Sequence, residues 1–101
     1  MSSNASIAVL GTYDTKGEEH LFLKDAIEKR GLKALTINVG TQKALSDAVD
    51  IDLFTTLRQK GILTNGLARD EILNEMAEEA TSVVRSLYHQ GDIIGIISAA
   101  G

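Results

Sequence analysis

The sequence predicts an α/β fold, a three-layer open parallel sheet held in one small domain. Three observations carry that expectation. Residues 7–10 (IAVL) and 92–98 (DIIGIIS) are largely apolar runs without alternation, each followed by glycine or small residues, as in parallel strands buried on both faces. Residues 16–30 and 69–90 repeat their apolar positions every three or four residues, the helical period. The order strand, helix, strand, irregular segment, helix, strand is that of helices layered onto a parallel sheet.

The first strand is stopped by Gly11. In 16–30 the residues Leu21, Phe22, Leu23, Ala26 and Ile27 form the apolar stripe, and Gly31 supplies a left-handed stop. In 32–39 (LKALTINV), Leu35, Ile37 and Val39 alternate against Thr36 and Asn38 before Gly40, so a second strand is expected there. A helix joining two such strands makes a βαβ unit with a right-handed crossover.

Residues 41–66 give no single pattern. Val49, Ile51, Leu53, Phe54 and Leu57 suit a short helix or a strand, Asp47, Asp50 and Asp52 interrupt both, and 61–66 (GILTNG) reads as a turn. The helix at 69–90 is the plainest in the chain, with Ile72, Leu73, Met76, Ala77, Ala80, Val83, Val84 and Leu87 in register and Gly91 just beyond. The strand at 92–98 is rich in β-branched residues and is expected at the centre of the sheet. A core strand followed only by Ala99-Ala100-Gly101 needs neighbours and a helical cover, so residues 1–101 are expected to be one incomplete α/β subdomain, truncated after the strand 92–98.

Composition narrows the function. At 101 residues, 44% hydrophobic and 24% charged, the chain can form one core, hiding roughly 60 to 65% of its extended surface on folding. A formal charge of −4 disfavours general binding to nucleic acid or to an anionic membrane, both of which need a cationic surface. No cysteine means no disulfide framework, no thiolate nucleophile and no cysteine-based zinc site, and two separated histidines add no metal signature. No apolar stretch approaches the roughly 20 residues of a membrane span, and MSSNAS has no signal-peptide character, so a cytoplasmic protein is expected.

Ligands of open α/β sheets gather at the carboxyl ends of the strands. The stretch GTYDTKGEEH, from Gly11 to His20, stands at such an end. Gly11 permits a tight turn, Thr12 and Thr15 offer hydroxyls, and Lys16 adds a positive charge beside a helix start whose free N–H groups attract anions. A purely structural reading stands beside this one. Thr15 with Glu18 is a capping box, Asp14 is an alternative cap, and Glu18 and Glu19 favour the positive end of the helix dipole while repelling phosphate. The stretch is neither a Walker loop nor the dinucleotide G-x-G-x-x-G. Asn38, Gly40 and Thr41 close the second strand, where dinucleotide folds hold a ribose, although asparagine there is also an ordinary turn former. His20 and His89 read as structural or solvated, and Glu18-Glu19 and Glu78-Glu79 as solvated faces.

The strings VLGTYDTKGEE (Val9 to Glu19), NVGT (Asn38 to Thr41) and GIISAAG (Gly95 to Gly101), in that order around the long helix, resemble the N-terminal part of the Tm-1-like family, also called UPF0261. The resemblance spans nearly all of the chain except 42–66. It implies a Rossmann-like or flavodoxin-like subdomain of a longer protein with two α/β subdomains, described as ATP-binding, whose members include some fused to or paired with a TIM-barrel partner. Carried over, the nucleotide-binding positions are Gly11, Thr12, Asp14, Thr15, Lys16 and Gly17 in the first loop, Asn38, Gly40 and Thr41 in the second, and Gly101 at the opening of the third. Asn38 replaces the family's usual acid, and Ala100 stands for a glycine.

The resemblance thus implies ATP as ligand, with Asp14 either capping the helix or holding Mg²⁺ through water, and with no reaction or catalytic residue assigned. Two rival readings stay open. One is a non-enzymatic interaction or homo-oligomerisation module, motivated by the long helix and the absence of a catalytic pair. The other is a flavodoxin-like FMN domain, for which 4% aromatic residues leave few rings to stack on a flavin.

Overall fold

A computed structural model describes residues 5–13, 17–44, 49–63 and 66–98. The elements in order are β1 (Ser6–Gly11), α1 (Gly17–Lys29), β2 (Lys33–Asn38), β3 (Ile51–Asp52), α2 (Leu53–Gln59), α3 (Arg69–His89) and β4 (Ile93–Ile97). All strand pairs are parallel, and the sheet order is β3-β2-β1-β4. The chain therefore winds outward from β1 to β3 and then returns to lay β4 on the other side of β1.

Successive residues of β1 face opposite layers, and the two cores divide accordingly. Ala8 lies in one core with Ile37, Leu53, Leu57, Leu63, Met76 and Ile93, which packs α2 and α3 against one face of the sheet. Val9 lies in the other with Tyr13 and Ile27, beneath α1. Burial of each large aliphatic chain in these cores contributes about 1.5–3 kcal/mol. Three layers with the sheet in the middle confirm the expected class.

The helix ends follow from glycine. Gly31 and Gly91 each have φ +82°, and the next amide reaches back five residues, Leu32 to Ile27 (3.3 Å) and Asp92 to Leu87 (2.9 Å). These left-handed stops set where β2 and β4 begin. Phe22, placed on the core stripe of α1 by its sequence, is 72% exposed instead. Five residues from Ile27, it lies about 140° around the helix axis. Leu73 is likewise exposed, while Met76 anchors α3 in the core.

The segment left undecided by its sequence contains the two-residue strand β3 and the helix α2. Asp52 is the N-cap of α2: its Oδ1 accepts from the Phe54 amide at 3.2 Å. The aspartate that interrupts the apolar pattern thus marks the boundary between two elements.

β4 departs from expectation in another way. It pairs with β1 and forms one edge of the described sheet, not its centre, and Ile94, Ile96 and Ile97 are 56%, 53% and 39% exposed. A groove of about 590 Å³ runs between α3 and β4, walled by Leu10, Val84, Tyr88, Ile93, Ile94 and Ile96. No helix among the described residues is long and apolar enough to cross a membrane.

Candidate functional site at the carboxyl edge of the sheet

The strand order reverses between β1 and β4, and in open α/β sheets ligands gather beside such a reversal, outside the carboxyl ends of the strands. Gly11, Asn38 and Asp52 form one row across β1, β2 and β3 at this edge. The Val39 amide donates to the Gly11 carbonyl at 2.9 Å, carrying the pairing one residue past β2.

Asn38 is fully buried and all four of its side-chain hydrogen-bonding positions are used. Its Oδ1 accepts from the amides of Tyr13 (3.1 Å) and Gly40 (3.0 Å). Its Nδ2 donates to the Gln42 carbonyl (3.0 Å) and to Asp52 Oδ1 (2.9 Å). Asp52 Oδ2 in turn accepts from the Ala44 amide at 2.9 Å. One amide and one carboxylate thus hold the turns after β1 and β2 and the start of α2. All of the polar atoms of the Asn38 side chain are thus engaged within the chain.

One row deeper, Asp50 extends the short β3. Its Oδ2 accepts from the Thr36 amide (2.9 Å) and hydroxyl (3.1 Å), while its own amide donates to Thr36 Oγ1 (2.8 Å). The side chain therefore takes the ladder position that a third β3 residue would hold.

Tyr13 and His20 shape the turn after β1. The Tyr13 hydroxyl donates to the Val9 carbonyl at 2.9 Å, and burial, with the Asp50 charge adding to it, pushes the phenol well above its ordinary pKa. It stays a neutral donor. The His20 ring lies 5.1 Å from the Tyr13 ring, centroid to centroid, and is 2% exposed. A β-carbon on Gly11 would overlap this imidazole at Cδ2, Nε2 and Cγ. Gly11 is therefore required by packing against His20, a reason separate from any ligand.

Of the site residues expected from sequence, Gly11, Thr12, Gly17, Asn38, Gly40 and Thr41 all lie at this edge. Asp14, Thr15, Lys16 and Gly101 lie outside the described residues. Thr12 is half-buried in the first turn, and Gly17 opens α1 with nothing within 4 Å of where its β-carbon would stand. The first-turn amides of a helix have no partner within the helix and suit an anion, whereas Glu18 and Glu19 in the first turn of α1 oppose one. Among the described residues no group of three or more histidine, cysteine or acidic side chains is arranged to hold a metal ion.

Sequence reasoning missed Tyr13, Asp50 and Asp52 and gave His20 no specific task. The two aspartates carried a usable signal: at i and i+2 they share one face of an extended segment, and Asp52 directly precedes an apolar run, as a cap does.

A parallel sheet in the order 3-2-1-4 by chain position, covered on both faces and with its turns gathered at the carboxyl edge, defines a doubly wound α/β domain of Rossmann-like type. Within that class the chain belongs to the UPF0261 family: the N-terminal domain of this uncharacterised protein family matches residues 5–101. It is 32% identical to a UPF0261 protein of Clostridium tetani, over 97% of this chain and 25% of the relative. UPF0261 proteins of Brucella suis and Brucella melitensis are each 31% identical, over 99% of this chain and 25% of their own lengths. The chain thus spans about a quarter of these relatives. No solved structure matches it significantly.

Proposed function

We propose that the chain forms one wall of a nucleotide-binding pocket, with ATP as the ligand, in a longer UPF0261 protein of Tm-1-like type. The observation that carries this reading is the position of the turn after β1. It leaves the sheet beside the reversal between β1 and β4 and feeds directly into the N-terminus of α1, where free amides attract anions. In this reading Thr12, Thr15, Lys16 and Gly17 bind the phosphates, and Gly40, Thr41 and Gly101 complete the site. Asn38 belongs to the framework behind them.

Isothermal calorimetry with ATP and Mg²⁺ on the full-length protein and its Lys16→Ala variant tests the reading. Binding by the wild type with an affinity loss of about tenfold or more in the variant supports it, on the scale of a charge-assisted phosphate contact. Equal affinities remove Lys16 from the site, and no binding by either protein removes the nucleotide.

A second reading, an interaction or homo-oligomerisation module, is favoured by one specific feature, the exposed isoleucines of the β4 edge. The FMN reading has no comparable support. Tyr13, the aromatic residue of the first turn, is 1% exposed and offers no ring face to a flavin.

A further inference from the structure

We propose that Asn38 and Asp52 are positioning residues that couple Tyr13 to Gly40, Gln42, Ala44 and the start of α2 when a nucleoside triphosphate binds at the turn after β1. This inference rests on the nucleotide reading above. Its physical basis is a continuous set of bonds. The Tyr13 amide belongs to the proposed phosphate turn and donates to Asn38 Oδ1, the same oxygen that accepts from Gly40. Through Nδ2 the same side chain reaches the Gln42 carbonyl and Asp52. Asp52 then holds the Ala44 amide and caps α2 at Phe54, and its carbonyl accepts from the Thr56 hydroxyl at 3.2 Å.

A ligand bound beside Tyr13 restrains the position of the Tyr13 amide. The amide of Asn38 can follow only as a rigid plane, because each of its four bonds points to a different partner. A restraint on the Tyr13 amide therefore passes to Gly40, Gln42, Ala44 and the first turn of α2 without those residues touching the ligand. Pairing of neutral Asn38 with charged Asp52 is essential: an acid at 38 would turn the 2.9 Å contact into a repulsion between two carboxylates and remove the donor to Gln42.

Hydrogen–deuterium exchange of the full-length protein, with and without ATP and Mg²⁺, tests the coupling. In the wild type, ATP is expected to slow exchange in peptides covering 11–23 and also in peptides covering 39–54, the latter by about fivefold or more. In Asn38→Asp, and in Asn38→Ser should the first variant fold poorly by circular dichroism, protection at 11–23 persists and that at 39–54 is lost. The double variant Asn38→Asp/Asp52→Asn removes the repulsion and lets an amide donate in the opposite direction, so part of the protection at 39–54 returns. A role confined to stability predicts no such ligand-dependent pattern.

Protection of 11–23 alone in the wild type overturns the coupling and leaves the nucleotide reading intact. Undiminished protection of 39–54 in Asn38→Ser also overturns it. Absence of protection at 11–23, with no heat of binding, overturns the nucleotide reading and this inference with it.

Discussion

The imidazole of His20 occupies the space that a β-carbon on Gly11 would need. The two residues come from β1 and α1, and their contact sets how closely the helix approaches the strand. Gly11→Ala is expected to cost about 1–3 kcal/mol or more, because the added methyl forces the buried ring off its position. His20→Ala also destabilises, through lost packing. In the double variant the methyl takes part of the space that the ring vacates, so its loss is smaller than the sum of the two. Urea unfolding of all three variants measures this coupling, and strictly additive losses would refute the contact.

Tyr13→Phe removes the hydrogen bond to the Val9 carbonyl and is expected to cost about 0.5–1.5 kcal/mol at pH 7. Its pH dependence is more diagnostic. The folded phenol has a raised pKa, so the folded chain holds this proton where the unfolded chain releases it, above about pH 10. The resulting stability is fully present below that pH and is lost as pH rises through the folded value. Wild-type stability should therefore fall more steeply than that of Tyr13→Phe on going from pH 9.5 to 11. Parallel curves in urea titrations would show that the phenol is not protected.

Asp50→Ala removes the acceptor of two hydrogen bonds from the fully buried Thr36, one from its amide and one from its hydroxyl. A loss of about 1–3 kcal/mol is expected, with faster amide exchange concentrated in β2 and β3. A change within 0.5 kcal/mol would mean that these bonds are replaced by water at no net cost.

At the β4 edge a charge should be tolerated and should act on association, not on folding. Ile96→Lys is expected to leave the unfolding midpoint nearly unchanged, because the side chain is 53% exposed. It should lower the apparent mass of the 101-residue chain in light scattering by blocking edge pairing and shielding the apolar groove. A monodisperse wild-type monomer would exclude association through this edge.

Much of the architecture is legible in the sequence. IAVL, LKALTINV and DIIGIIS read as strands, the long period in 69–90 as a helix, and Gly31 and Gly91 as stops, because each signal is local in sequence. Glycine placement and apolar period act through backbone conformation and one-sided burial, and both survive in any tertiary context consistent with the fold. The crowding of Gly11, Thr12, Gly17, Asn38, Gly40 and Thr41 at one edge was also readable, since parallel strands bring all their carboxyl ends together.

The rest depended on partners distant in the chain. Asp50 and Asp52 look like interruptions until Thr36 and Asn38, each fourteen residues away, are seen to need their carboxylates. Asn38 looks like a turn former until Tyr13, twenty-five residues earlier, is found on its oxygen. β4 has the composition of a central strand, yet only the sheet order places it at an edge with three isoleucines exposed. By itself the sequence determined three of the four described strands, the helices at 16–30 and 69–90 and the parallel run of those strands, and it left 41–66 open. Tertiary structure decided which polar side chains are consumed inside the framework, because a buried polar group is held by whatever the fold brings within hydrogen-bonding distance.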